Sequence, residues 1–386
     1  MFVCAVLAFE LALSLWQHRD TAKAWLLLWA VVATVLYGCH WAFFQRLTAW
    51  QPLTDSIYVA CNLAVYPLYL IYIYKLTDER PLPRRSLLGF AAYVLSALLL
   101  VAGVVGLYAA MSPAELKQFL DCYLYSSECD AIDGLPMVQA FLHNACKLLF
   151  TIGVVAVVVA GGRRLRRYNH LVDQLYADTD DKSLRRLSVT LVWFLLIAVV
   201  SLVVNALGRQ WFVTGQGGVD PWLAVTSVLF SLLLCAIGWL GMQQQFSMAD
   251  MLADARADGD EALQSADTEP GETKDDRVQT TVDAFVSLMD SEQLYLRPSL
   301  RLNSVAVRLN TNRTYLLQAL NAQLGMTFSE FVNRRRIAYA CQLMAQDAGM
   351  TRLEVGAACG YNSPTTFYRN YRKYADEYRV EELPDE

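Results

Sequence analysis

Charge is scarce in this chain. Asp, Glu, Lys and Arg make up 18% of 386 residues, while hydrophobic residues make up 55%, a balance that excludes one ordinary soluble globule. The nine Cys and four His contain no Cys-x-x-Cys pair and no spacing suited to zinc, so no metal site is expected. A dinucleotide-binding glycine fingerprint, a P-loop, a kinase phosphoacceptor motif and a nucleophile elbow are also missing. On that basis neither a cofactor nor enzymatic activity is expected. From Ser247 to Gln279 the chain is acidic, with Asp250, Asp254, Asp258, Asp260, Glu261, Asp267, Glu269, Glu272, Asp275 and Asp276 against Arg256, Lys274 and Arg277. Large apolar residues nearly vanish after Leu263, too few to build a core, so residues 247–279 are expected to form a flexible linker too short to house a receiver domain. As a coil it would span roughly 30 Å.

What the chain has instead is long apolar runs. Seven approach the roughly 20 residues that a bilayer-spanning helix needs: Met1 to Gln17, Ala24 to Phe44, Ile57 to Tyr74, Leu87 to Met111, Met137 to Ala160, Ser188 to Leu207 and Trp222 to Met242. The first is short and carries Glu10, but no small-residue cleavage site follows it. Residues 1–246 are therefore expected to form a polytopic, sensor-like transmembrane helix bundle of about seven spans. Lys and Arg in short loops stay cytoplasmic. Lys75, Arg80, Arg84 and Arg85 mark one such loop, and Arg163, Arg164, Arg166, Arg167, Lys182, Arg185 and Arg186 another. The acidic loop Ser112 to Pro136 and the loop Gly208 to Pro221 then face outward, which leaves the C-terminus inside. In a bacterial cell this is a multi-pass protein of the inner (cytoplasmic) membrane with the lipid bilayer as a partner.

Two features of the membrane part carry chemistry. Cys122 and Cys129 share the outward loop, where an oxidising compartment permits a disulfide; two free thiols packed at the end of the bundle are the alternative. Ionisable residues inside spans are costly. His143 and Lys147, four residues apart on one helical face, are a candidate intramembrane signal site, with interhelical hydrogen bonding as the plainer role.

Beyond residue 280 the periodicity changes. Leu302, Val305, Ala306 and Leu309 form the stripe of a short helix. Asn310-Thr311-Asn312 breaks it, and Asn312 is placed to cap a second helix from Arg313 to about Gln323 that buries Leu316 and Leu320. Two short helices on a tight turn have the dimensions of a DNA-reading helix-turn-helix. A longer helix opens at Thr327 with capping-box spacing to Glu330 and carries Arg334, Arg335 and Arg336, all expected on its surface. The unit then repeats: Thr351 and Glu354 form another box, Gly360 ends that helix, and Ser363-Pro364 opens the last one. This last helix is expected to bury Phe367 and Tyr371.

Arg313-Thr314-Tyr315-Leu316, Phe328-Ser329-Glu330-Phe331-Val332-Asn333, Arg336-Ile337, Cys359-Gly360-Tyr361-Asn362-Ser363 and Thr366-Phe367-Tyr368-Arg369, in this order and spacing, resemble the AraC/XylS-type DNA-binding domain. The resemblance covers about Arg301 to Arg379. It implies an all-α chain with a C-terminal tandem helix-turn-helix domain at 280–386 and two recognition helices in successive major-groove segments. It also implies base readers at Thr314, Leu317 and Gln318 in the first unit and at Pro364, Thr365, Tyr368 and Arg369 in the second. Arg313, Asn321, Arg372 and Lys373 complete the candidate DNA-binding set, and Arg335 is a candidate backbone contact. Between Arg297 and Arg379 twelve basic residues face five acidic ones, a local excess suited to phosphate. Three positions depart from the family pattern: Arg301 replaces a capping Ser or Thr, Arg352 an apolar residue and Gly356 an Ala. The family's closing Gly-x-Thr-Pro segment is absent. The expected partners are double-stranded DNA, a second copy of the chain and an unidentified signal ligand. The competing reading is a membrane receptor or transporter whose C-terminal helical domain binds a partner protein.

Overall fold

The computed structural model describes residues 2–17, 21–45, 48–77, 84–124, 132–179, 182–206, 274–347 and 349–378, with isolated positions between 228 and 251. Its elements are helical, and they fall into two compact units: Met1–Arg166 with Arg185–Gln244, and Arg167–Leu184 with Gln245–Glu386.

The first unit contains α1 (Phe2–Gln17), α2 (Thr21–Phe44), α3 (Gln51–Thr77), α4 (Arg84–Ala110), α5 (Pro113–Phe119), α6 (Gly134–Ala156) and α8 (Arg185–Ala206). Between α6 and α8, a π turn at Val157–Gly161 runs into α7 (Gly162–Leu175). Among the described residues, four helices are long and apolar enough to cross a membrane: Thr21–Phe43, Gln51–Thr77, Ser86–Ala110 and Gly134–Leu175. They mark a membrane-associated protein. Ala5–Trp16 is apolar but shorter, and the seventh expected stretch, Trp222 to Met242, lies mostly outside the described residues.

Helix α3 is the hub of this unit, packing on α2, α4 and α6. Val59 and Leu63 of α3, Val104 and Tyr108 of α4, Phe119, Leu120 and Leu124 of the α5 region and Cys146 of α6 form one buried cluster. Leu88, Leu95, Leu98 and Leu99 of α4 stay exposed. Such an apolar face is stable against acyl chains and not against water. Helix α5 lies inside the acidic segment expected to be a plain loop. Ser112 accepts from the Glu115 amide, the Glu115 carboxylate accepts from Ser112, and Pro113 occupies the first turn, so local capping starts the helix while buried Phe119 fastens its end.

The second unit contains α9 (Lys274–Ser291), α10 (Leu302–Arg308), α11 (Arg313–Gln323), α12 (Phe328–Gln346), α13 (Arg352–Ala358) and α14 (Pro364–Tyr374), closed by a 3₁₀ turn at Ala375–Glu377. Helix α9 begins at Lys274, within the stretch read as linker. It buries Val282, Phe285 and Met289, with the Phe285 ring 6.3 Å from Phe328 and 5.0 Å from Phe331. A second core joins Ile337 and Ala340 of α12 to Val355, Cys359, Tyr361, Phe367 and Tyr374.

Candidate nucleic-acid interface

Helices α10 and α11 are joined by the same turn as α13 and α14. In the first turn Asn310 is left-handed, with φ 51°; the Thr311 amide donates to the Ala306 carbonyl and the Asn310 amide to that of Val307. In the second, Gly360 has φ +81°, and the amides of Tyr361 and Gly360 donate to the carbonyls of Gly356 and Ala357. These are the bonds that satisfy the last carbonyls of a helix before a sharp change of direction. The helices that follow are started differently. Asn312 caps α11 by accepting from the Thr314 amide at 2.7 Å. Ser363 makes no side-chain cap bond, and Pro364, which has no amide hydrogen to satisfy, opens α14.

The two following helices each present a polar face. In α11, Leu316, Ala319 and Leu320 are buried, Thr314, Gln318 and Asn321 are exposed, and Arg313 and Leu317 are half-buried. In α14, Thr366, Phe367, Asn370 and Tyr374 are buried, while Pro364, Thr365, Tyr368, Arg369, Arg372 and Lys373 are exposed. Tyr374 takes the innermost place expected of Tyr371, which is half-buried with its ring 5.6 Å from Phe367. Thr365, Tyr368, Arg369, Arg372 and Lys373 line one concave surface. A basic stripe with an aromatic ring suits phosphate and base edges.

Several basic residues counted toward DNA are held inside the unit. Arg308 pairs with Glu292, Arg335 lies 3.0 Å from Asp290, and Arg334 bridges Glu330 at 3.1 Å and Glu377 at 2.6 Å. Arg335 thus has an acidic partner within the unit, whereas Arg372 and Lys373 are exposed on α14. Thr327 caps α12 through the Glu330 amide, but the Glu330 carboxylate turns to Arg334 and leaves the expected box half formed. Arg334 also lies over the Tyr374 ring at 5.2 Å. With Glu377 it fastens the final turn without the absent closing segment.

Arg336 corrects the expectation of three surface arginines: its side chain is 0% exposed. Its guanidinium donates to the carbonyls of Tyr295 (2.6 Å) and Arg297 (2.8 Å) and to Asp178 Oδ1 (2.7 Å). Gly356 is explained by its neighbour, because a Cβ there would lie 3.0 Å from the Phe367 ring. Arg352 is exposed at the start of α13. Arg301 caps nothing with its side chain; its backbone instead forms an antiparallel bridge with Tyr176.

In the first unit His143 is buried, with Nε2 2.7 Å from Asp55 Oδ2 and Nδ1 2.9 Å from the Gln139 carbonyl oxygen. Tyr108 donates to the same Asp55 oxygen at 2.8 Å. A carbonyl only accepts, so Nδ1 carries hydrogen, and the Nε2–Asp55 contact needs a second proton on the ring or on the carboxyl. Lys147 lies over the Tyr123 ring at 5.2 Å, and the same ring is 5.7 Å from that of His143. Asp55, the partner that sequence reading missed, sits just before the apolar stretch that starts at Ile57. Cys122 is disulfide-bonded, and Cys129 lies outside the described residues. No group of metal-ligating side chains occurs among the described residues.

Residues 305–378 match a family described as a helix-turn-helix domain. No curated protein and no solved structure matches the chain.

Proposed function

We propose that the protein is a membrane-bound transcriptional regulator of the AraC/XylS type, which reads specific duplex DNA through α11 and α14 and couples that reading to a signal received at the membrane. The observation that carries this reading is the repeated turn before two helices with exposed polar faces, inside the segment that matches the helix-turn-helix family. Its base-reading set is Thr314, Leu317, Gln318, Pro364, Thr365, Tyr368 and Arg369, with Arg313, Asn321, Arg372 and Lys373 beside them. The proposal includes seven spans, a cytoplasmic second unit and paired subunits on DNA. It also includes sensing at the outward ends of the helices, where Asp55, Tyr108 and His143 meet beside the Phe119–Leu124 segment. A Cys122–Cys129 disulfide would tie that segment.

The test is capture of genomic fragments by the full-length protein in lipid nanodiscs, followed by footprinting. Protected sites about one helical turn apart are expected. Arg369→Ala and Gln318→Ala should each lose about 1–3 kcal/mol of discrimination against altered base pairs. Equal affinity for selected and random duplexes rejects the reading in favour of a partner-protein domain.

A further inference from the structure

Residues Tyr176 to Asp178 belong to the stretch between α7 and α8, far in sequence from the helix pairs, yet they are built into the second unit. The Ala177 amide donates to the Leu300 carbonyl at 3.0 Å, beside the Tyr176–Arg301 bridge. The Ala177 carbonyl accepts from Ser329 Oγ at 3.2 Å and Asn333 Nδ2 at 3.3 Å. Asp178 Oδ1 meets buried Arg336, while Oδ2 accepts from the Ser299 amide at 2.9 Å and from Asn362 Nδ2 at 3.4 Å.

These contacts join three places that determine how the two helix pairs are set. Ser299 to Arg301 lead into α10; Ser329, Asn333 and Arg336 lie on α12; Asn362 stands immediately before the cap of α14. A further bond, from Asn370 Nδ2 of α14 to Asn333 Oδ1 at 3.1 Å, extends the network into the last helix. Asp178 supplies the carboxylate for a fully buried guanidinium, a group that is costly to leave uncompensated. Docking leaves Thr314, Gln318, Thr365, Tyr368 and Arg369 exposed, so it is compatible with an open reading surface.

We propose that Tyr176–Asp178 is an intramolecular docking element that holds the helix pairs in their DNA-reading arrangement and passes movements of the membrane helices to them. The chain leaves the first unit after Arg166 and re-enters it at Arg185. A shift of either flanking helix therefore pulls on Asp178 through a short connection, without passing through the acidic segment 247–279. The docking rests on the contacts alone; its consequence for DNA rests on the function proposed above.

The test uses the full-length protein in nanodiscs of phosphatidylethanolamine and phosphatidylglycerol. Hydrogen exchange is measured without DNA, and affinity is measured for a duplex selected by the wild type. Asp178→Ala should speed exchange across Tyr295–Arg301 and in the first turns of α14, with roughly tenfold weaker binding to the selected duplex. Asp178→Asn should fall between it and wild type, and Arg167→Ala, an exposed change on α7, should do neither. If Asp178→Ala does not accumulate, Asp178→Asn and Asn362→Ala provide the same comparison. Unchanged exchange in α14 overturns the docking role. Faster exchange with unchanged affinity for the selected duplex overturns the coupling. Wild-type protein that cannot discriminate duplexes instead overturns the DNA-reading function, while the exchange comparison still decides the docking.

Discussion

Asn310 and Gly360 occupy the same left-handed place in the two turns, but their surroundings differ. A Cβ on Gly360 would collide with the Leu296 carbonyl, whereas Asn310 is exposed and already carries a side chain. Gly360→Ala should therefore destabilise the second unit by more than about 1 kcal/mol, through both the collision and the positive φ. Asn310→Gly should be nearly neutral. Pulse proteolysis of the full-length protein in urea separates the two, and equal effects would refute the steric account. Residues whose roles depend on near neighbours were legible in sequence: Asn312 before α11, and Thr351 with Glu354 before α13. Arg336 was not, because helical position says only which residues share a face, and its carboxylate partner lies 158 residues away. The same holds for His143, whose partner Asp55 comes from another helix.

Element by element, caps and apolar runs located most of the helices. The expected stretches at Ala24, Ile57, Leu87 and Met137 fall on α2, α3, α4 and α6, because burial in lipid requires an unbroken apolar surface that sequence displays directly. Helix α7 was harder to see. Leu165, Tyr168 and Val172 are its buried stripe, but Arg163, Arg164, Arg166 and Arg167 mark it first as a cytoplasmic loop. Helix α13 gives a pH prediction. Hydrogen bonds from the Thr351 backbone, and secondarily its hydroxyl, hold the Glu354 carboxyl below its ordinary value. Its contribution is present above the unfolded carboxylate pKa and is lost as pH falls through the lower folded value. Amides in the first turn of α13 should therefore exchange faster as pH drops below about 4.5, after correction for the intrinsic rate. Glu354→Gln should flatten that dependence. A wild-type profile without such a change would remove Glu354 as the capping charge.

For the whole molecule, the basic loops predict a reporter active outside when inserted near Ser127 and inside when fused after Met242. Agreement of the two on one side would invalidate the seven-span arrangement. The apolar pattern did not disclose that the second unit borrows residues 167–184, since polar backbone contacts such as Ala177 to Leu300 leave no periodic trace. A fragment starting at Lys274 lacks Asp178 and should be about 3 kcal/mol less stable than the same fragment fused to residues 167–184, because a buried cation has lost its partner. Chemical denaturation compares them directly, and equal midpoints would show that Arg336 is satisfied without Asp178. The borrowed segment also sets an order in time. Domains tend to fold as units from the N-terminus during synthesis, yet Asp178 leaves the ribosome long before Arg336 does. The Tyr176–Asp178 segment therefore waits, without its partners, for a later part of the same nascent chain. A protease that freed this unit after residue 246 would release it without its borrowed carboxylate.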